Sequence, residues 1–410
     1  MYNIQEMMSS LPEMLSGAEL ISAMTVLPEY SEQIRNESAS VRLMALSDLY
    51  KIYLPSQMTA EIYSKLYLAL LRSLQKKTTK EAVRQQNENY KAVRQREYSG
   101  ILGGSDSFTI IGTSGIGKSS AISRAISLIT SNGVMEVTQP YAKIIPCVVV
   151  QCPFASSVKG LLLEVLRKVD EYLDTRYYQD ALRARATTDM LIGSVSQVAL
   201  NHIGLLIVDE IQNVVNSKNG KSLVGMLTQL INNSGISICM VGTPESAVFF
   251  EQAMHLARRS LGLQYNRMEC DQYFYDFCKT LFRYQYIQES AEFSEAVTEW
   301  LYEHSSGVIS VVVSLIHDAQ EIAILNGTEK LNLESLNEAY QKRMTLLHGF
   351  IEPEKKRRSQ NKSKKSAMIF KQEDTKVEIS ITELAAKAKA EKLDMTELLK
   401  NFITIVEVEV

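Results

Sequence analysis

Gly112-Thr113-Ser114-Gly115-Ile116-Gly117-Lys118-Ser119 follows Phe108-Thr109-Ile110-Ile111 and precedes the run Ala121 to Ile129, which is rich in Ala, Ile and Leu. The spacing is G-x-x-x-x-G-K-[ST], and its flanks predict a buried strand before the loop and a helix after it. Each residue type has a physical reason to stand in such a cradle. Glycines let backbone N–H groups curl around phosphate oxygens, and the helix N-terminus adds a positive dipole. Lys118 brings a point charge, and the Ser119 hydroxyl suits Mg²⁺. The expected nucleotide contacts are Gly112, Thr113, Ser114, Gly115, Ile116, Gly117, Lys118, Ser119 and Ser120, with ATP and Mg²⁺ as cofactors.

A phosphate loop hydrolyses nothing without an acid for the metal and a group that activates water. Leu205-Leu206-Ile207-Val208 reads as a buried strand, with Asp209 at its end to hold Mg²⁺ and Glu210 beside it as general base. Ile236 to Gly242 reads as another buried strand. It ends in Thr243, a hydroxyl that can sit between the γ-phosphate and the attacking water. The strand carrying Thr243 is expected to lie between the loop strand and the acidic strand. Arg258 and Arg259 follow one helix later. Either of them serves as an arginine finger in a neighbour's site, or they form an exposed basic helix end.

Around this centre the chain divides by pattern. Residues 1–100 read as a helical N-terminal region, with apolar residues at helical spacing in Val41 to Tyr50 and Ile62 to Arg72. Leu74 to Tyr98 is basic and polar, and reads as a solvated linker helix rather than a surface for DNA or a partner. Residues 101–265 alternate apolar strands (Phe108–Ile111, Ile144–Gln151, Gly204–Asp209, Ile236–Gly242) with helices, of which Val158–Tyr172 and Leu223–Asn232 are the clearest. That alternation predicts a parallel α/β sheet. Residues 266–350 read as a helical lid, in which the aromatic cluster Tyr273 to Tyr286 is expected to be core. Residues 351–410 hold the basic run Glu354 to Lys365, read as a linker, and one more amphipathic segment, Ile381 to Phe402, which suits either a docking peptide or a packed terminal helix.

Composition narrows the function classes without choosing one. The 410 residues carry a net charge of −3, so only local patches argue for nucleic acid. Five cysteines without C-x-x-C spacing read as buried thiols in a reducing cytoplasm, and five scattered histidines offer no metal knuckle. The N-terminus lacks the basic and apolar regions of a signal peptide. The apolar run Val308 to Leu325 is interrupted by Ser310, His317, Asp318 and Glu321, so no membrane span is expected.

The ordered set of Gly112 to Ser119, Val149-Val150-Gln151-Cys152-Pro153 with Lys159-Gly160-Leu161 beyond it, Leu206 to Gln212, Val241-Gly242-Thr243-Pro244 and Ala257-Arg258-Arg259 resembles the TnsC/TniB family. These are AAA+ ATPase regulators of transposition in Tn-seven-like elements. The resemblance covers about residues 30 to 316 and includes Leu46 to Pro55. It implies an AAA+ core with a helical N-terminal region and lid, an ATP-dependent homo-oligomer (ring or helical filament) on duplex DNA, and a bacterial cytoplasmic setting. Its partners would be a target-site selector and transposase subunits, the N-terminal region touching the selector and the tail the transposase, with hydrolysis disassembling the oligomer. By matching position, Lys118, Asp209, Glu210, Thr243 and one of Arg258 or Arg259 take the ATPase roles. Lys159 takes a DNA-backbone contact, and Arg183 and Arg185 fall where relatives face DNA. One feature departs from many AAA+ proteins: Ser306 to Val311, at the start of the lid helix, offers no arginine to the nucleotide. A helicase loader or replication initiator built on the same core, or a scaffold that binds ATP without turnover, are the competing readings.

Overall fold

The computed structural model describes residues 4–95, 107–131, 133–138, 141–153, 157–214, 220–247 and 262–345. All lie within one compact unit, 1–355. The expected basic linker from residue 354 and the segment 381–402 fall outside the described residues.

Six described strands form one sheet: β1 (Phe108–Gly112), β2 (Met135–Thr138), β3 (Tyr141–Gln151), β4 (Ile203–Asp209), β5 (Ser237–Gly242) and β6 (Leu263–Tyr265). The order is β2-β3-β4-β5-β1-β6, parallel except for the antiparallel β2–β3 pair. β5 lies between β1 and β4, as expected from Thr243. The register pairs Ile111 with Gly242, Val208 with Met240 and Gln151 with Asp209. The C-terminal ends of β1, β5, β4 and β3 therefore meet along one edge, where ligands of open α/β sheets bind.

The central strands are apolar on both faces because both are covered. Leu206, Val208, Ile238 and Met240 pack with α7 (Val158–Leu173), α9 (Thr188–His202) and α10 (Gly220–Ser234). Leu205, Ile207, Cys239 and Val241 point the other way, into a core with α4 (Gln57–Lys77) and α6 (Lys118–Ile129). Between α7 and α9 runs the short α8 (Tyr177–Arg183). The N-terminal region adds α1 (Ile4–Ser9), α2 (Gly17–Met24), α3 (Ala39–Ala45) and α5 (Lys80–Gln95).

α5 differs from the solvated linker helix expected over Leu74 to Tyr98. Lys77, just before it, is buried and donates from Nζ to the carbonyls of Ala199 and Leu200 at the end of α9. Buried Gln85 donates to Asn89, which donates in turn to the Asn233 carbonyl at 2.8 Å. Polar side chains fill this interface because each finds a backbone or amide partner, which offsets the cost of burying it.

The lid comprises α11 (Gln272–Phe282), α12 (Glu295–Ser305), α13 (Ile309–Asn326) and α14 (Leu333–Arg343). Asp271 caps α11 through the Phe274 N–H, and Asn332 caps α14 through the Ser335 N–H. Phe274, Phe277, Leu281, Phe282, Tyr284 and Tyr286 are buried together, so the aromatic cluster is core as expected. α13 is the one described helix long and apolar enough to cross a membrane, and half of that length is buried in this lid core. Leu46, Leu49 and Ile52 from the N-terminal region join the same cluster. Arg42, 2% exposed, fixes them there by donating to both Glu329 carboxylate oxygens at 2.7 Å and to the Tyr286 carbonyl at 2.9 Å.

Candidate nucleotide-binding site

Gly115 and Gly117 of the loop have φ of +82° and +95°, a region that side chains with a Cβ rarely adopt. Gly117 is the N-cap of α6, so the loop enters that helix through a left-handed turn and leaves the first N–H groups facing the cleft. Lys118 is buried, and its Nζ donates to the loop's own carbonyls, Gly112 at 2.6 Å and Thr113 at 2.9 Å. Burial lowers its pKa, and the charges of Asp209, Glu210 and Glu245 oppose that shift.

Ser119 Oγ donates to Asp209 Oδ2 at 3.4 Å, across the gap between β1 and β4. Asp209 Oδ1 accepts from the Glu210 N–H at 2.8 Å. Glu210 itself has φ +59°, left-handed for a residue with a side chain. Its carboxylate accepts a hydrogen bond from Gln212 Nε2. Thr243 ends β5 and opens the turn Pro244–Ser246. Its side chain hydrogen-bonds the Glu245 carboxylate, holding it below the usual carboxylate range. The two hard oxygen donors Ser119 and Asp209 fit Mg²⁺ by chemistry and spacing, since that ion takes one or two protein oxygens beside waters and phosphate.

Loop, acids and Thr243 line one cleft of about 400 Å³, within the range of ordinary ligand sites. Its other wall is apolar: Ile52, Tyr53, Leu54 and Met58 from the N-terminal region, Tyr273 and Phe277 from α11, Ile309 and Val313 from α13. Tyr273 Oη donates to the Leu54 carbonyl at 2.8 Å, binding two parts of this wall together, and burial raises its pKa. Sequence reasoning assigned none of these residues to the site. The signal available was Ile52-Tyr53-Leu54-Pro55, an apolar turn immediately before the long helix α4. The lid also touches the loop itself: the Ser310 N–H donates to the Gly115 carbonyl at 3.0 Å. That backbone contact stands where a lid arginine was missing.

Gly112, Thr113, Ser114, Gly115, Ile116, Gly117, Lys118, Ser119, Ser120, Asp209, Glu210 and Thr243 are thus brought together. Arg258 and Arg259 lie outside the described residues. Lys159 is exposed in the first turn of α7, while Arg183, ending α8, and Arg185, in the turn after it with φ +49°, are exposed as well. His317, Asp318 and Glu321 on α13 form the one described group of metal-ligating type, but His317 pairs with Asp318 and Glu321 with Arg343.

Residues 104–267 match the model of the bacterial TniB protein family. The match is less than half of the chain and runs from before β1 to just beyond β6, so it spans the loop strand, the acidic strand and Thr243. No curated protein matches the chain. Among solved structures, the Aeropyrum pernix ORC1 protein in complex with DNA is similar at 12% identity over 64% of each chain, with a TM-score of 0.43. A Thermotoga maritima RuvB mutant is similar at 12% identity, covering 70% of this chain and 69% of that one, with a TM-score of 0.34. Domain III of the Thermotoga maritima replication initiation protein DnaA is similar at 16% identity over 67% and 95%, TM-score 0.33. The chain spans 64% of the length of that ORC1 chain. Within the TniB-matching stretch the strand order places β5 between the loop strand and the acidic strand, and beyond it the lid residues Tyr273, Phe277, Ile309 and Val313 line the same cleft.

Proposed function

We propose that this TniB-like chain is an ATPase that assembles on duplex DNA, passes a target-site choice to transposase subunits, and comes apart when ATP is hydrolysed. The observation that carries the hydrolytic part is the meeting of Ser119 at the start of α6, Asp209 and Glu210 at the end of β4, and Thr243 just after β5 in one cleft. Phosphates fit the glycine loop, with Lys118 leaving its carbonyl partners for the phosphate charge. The base fits the apolar wall of Tyr53, Tyr273 and Phe277. Ser119 and Asp209 would hold Mg²⁺, which would neutralise phosphate charge there. Glu210 accepts a proton from water as the water oxygen bonds to the γ-phosphorus. The bond to the bridging oxygen breaks with its electron pair going to ADP.

The assembly part draws on the family match and on the exposed Lys159, Arg183 and Arg185, with Arg258 or Arg259 reaching a neighbour's ATP. The setting would be the bacterial cytoplasm. The test is electron microscopy with ATP, Mg²⁺ and duplex DNA, where rings or filaments are expected and binding should weaken steeply with salt as counterions are released. Glu210→Gln should trap these assemblies on DNA. Monomers throughout refute the assembly reading. Recovery of a replicative helicase in place of a transposase in pull-downs refutes the transposition reading.

A further inference from the structure

Gln212 stands in the wall between Glu210 and the end of β5. It is the second residue of the one-turn segment Ile211–Val214 that follows the acids. Its Nε2–H donates to Glu210 Oε2, so the carboxylate meant to take a proton is held by a neutral donor. The other half of the same amide, Oε1, is buried and has no hydrogen-bond partner among the described residues. It lies against Gly242, where an added Cβ would come within 3.2 Å of it, and Gly242 and Thr243 share the cleft wall with Gln212. A buried acceptor left without a donor costs about 1–3 kcal/mol, and few such groups persist in folded proteins. The left-handed backbone of Glu210, two residues away, adds a second local cost. Two unfavourable features side by side in a ligand cleft mark a place shaped for chemistry rather than stability.

We infer that Gln212 is the positioning residue of ATP hydrolysis: its amide N–H fixes the Glu210 carboxylate, and its carbonyl accepts a hydrogen bond from the second O–H of the attacking water. The inference rests on the hydrolytic reading of the cleft. A water that attacks phosphorus through a lone pair has two protons to place. One passes to Glu210 as the new O–P bond forms and the bond to the bridging oxygen breaks, with that electron pair leaving on ADP. The other remains on the attacking oxygen and needs an acceptor to set the direction of the lone pair. Oε1, beside the strand end that carries Thr243, is that acceptor. The site requires both halves of the amide at this reach. Asn is one methylene short, Glu lacks the donor, and Met matches the length with neither function.

The test is steady-state ATP hydrolysis by the full chain with Mg²⁺, comparing wild type, Gln212→Met, Gln212→Asn, Glu210→Gln and the double variant Glu210→Gln with Gln212→Met. Binding of a fluorescent ATP analogue is measured on each. Gln212→Met should lower kcat about 10–100-fold with KM for ATP within about threefold, as expected when a reacting group is misplaced without loss of ground-state binding. Because Gln212 orients both the Glu210 carboxylate and the water that this carboxylate deprotonates, the second substitution should add much less to Glu210→Gln than it costs alone. Gln212→Met with wild-type kcat, while Glu210→Gln abolishes turnover, overturns this inference alone. An additive double variant, or loss of analogue binding in both Gln212→Met and Gln212→Asn, does the same by making the residue a structural one. A wild-type chain that binds ATP without turnover overturns the hydrolytic reading and this inference together.

Discussion

Lys77→Met isolates the buried cation that ties α4 to the end of α9. Lys77 is 3% exposed, and burial lowers its pKa from 10.5 to about 7. The unfolded chain keeps this proton to about pH 10.4, so above pH 7 it binds more protons than the folded chain, and stability rises with pH. The slope approaches about 1.36 kcal/mol per pH unit for one proton, and with Lys77 half-titrated at the start of the window the gain from about pH 7 to 8.5 integrates to about 1.5 kcal/mol. Methionine preserves length and removes the ionisation, so this gain should vanish from the variant. The measurement is urea unfolding of both proteins at several pH values across the window. With an m-value of about 3 kcal/mol/M, the wild-type midpoint should climb by about 0.5 M relative to Lys77→Met. Burial lowers the pKa of His202 and the Lys77 charge lowers it further, so the variant removes one of these influences, and the His202 imidazole is followed by NMR at each pH in both proteins. The Cys147 and Cys152 thiols, raised by burial to about 12 and about 11, are common to both. Parallel midpoints for wild type and variant would refute the reasoning, since they would mean that the Ala199 and Leu200 carbonyls hold the lysine charged throughout.

Gly115→Ala should weaken ATP-analogue binding by about tenfold, because φ +82° disfavours any Cβ and this one would fall 2.3 Å from Ser310 Oγ in the lid. Adding Ser310→Gly should recover only the part caused by the lid overlap, which titration of both variants separates. Lys118→Ala should abolish measurable ATP binding and lower stability by about 1–3 kcal/mol, since the Gly112 and Thr113 carbonyls lose their donor, which analogue titration and urea unfolding read separately. Arg42→Met leaves Glu329 without its guanidinium and should destabilise the lid by about 3 kcal/mol, read by hydrogen exchange of α13 and α14. Adding Glu329→Gln should restore part of that loss.

The centre of the sheet and the phosphate end of the cleft were legible because their residues answer to local rules. β1, β4 and β5 are continuous apolar runs, and the glycine loop and the Asp209–Glu210 pair carry their chemistry in their spacing. β2 and β6 were not read, being four and three residues long, too short for periodicity to show. α9 escaped because it is buried on most of its circumference and so lacks a polar stripe. α5 was misjudged for the opposite reason: Gln86 and Asn89 look like surface until their partners, Asn201 in α9 and Asn233 in α10, more than a hundred residues away, are in place. The apolar wall of the cleft was unreadable for a similar cause. Leu54 and Tyr273 meet only after the whole sheet has folded between them, at a sequence separation of 219.

The bond between Arg42 and Glu329 spans 287 positions of the chain. During synthesis at about 5–20 residues per second, a guanidinium made early waits about 15–60 s for its carboxylate to emerge. Leu46, Leu49 and Ile52 wait with it, since most of the cluster that buries them comes from the lid. The N-terminal region thus reaches solvent first and finishes folding last. A nascent chain lacking the lid would present three sticky residues beside a nearly complete sheet, which makes the interval before α14 emerges the period when this protein most needs a chaperone.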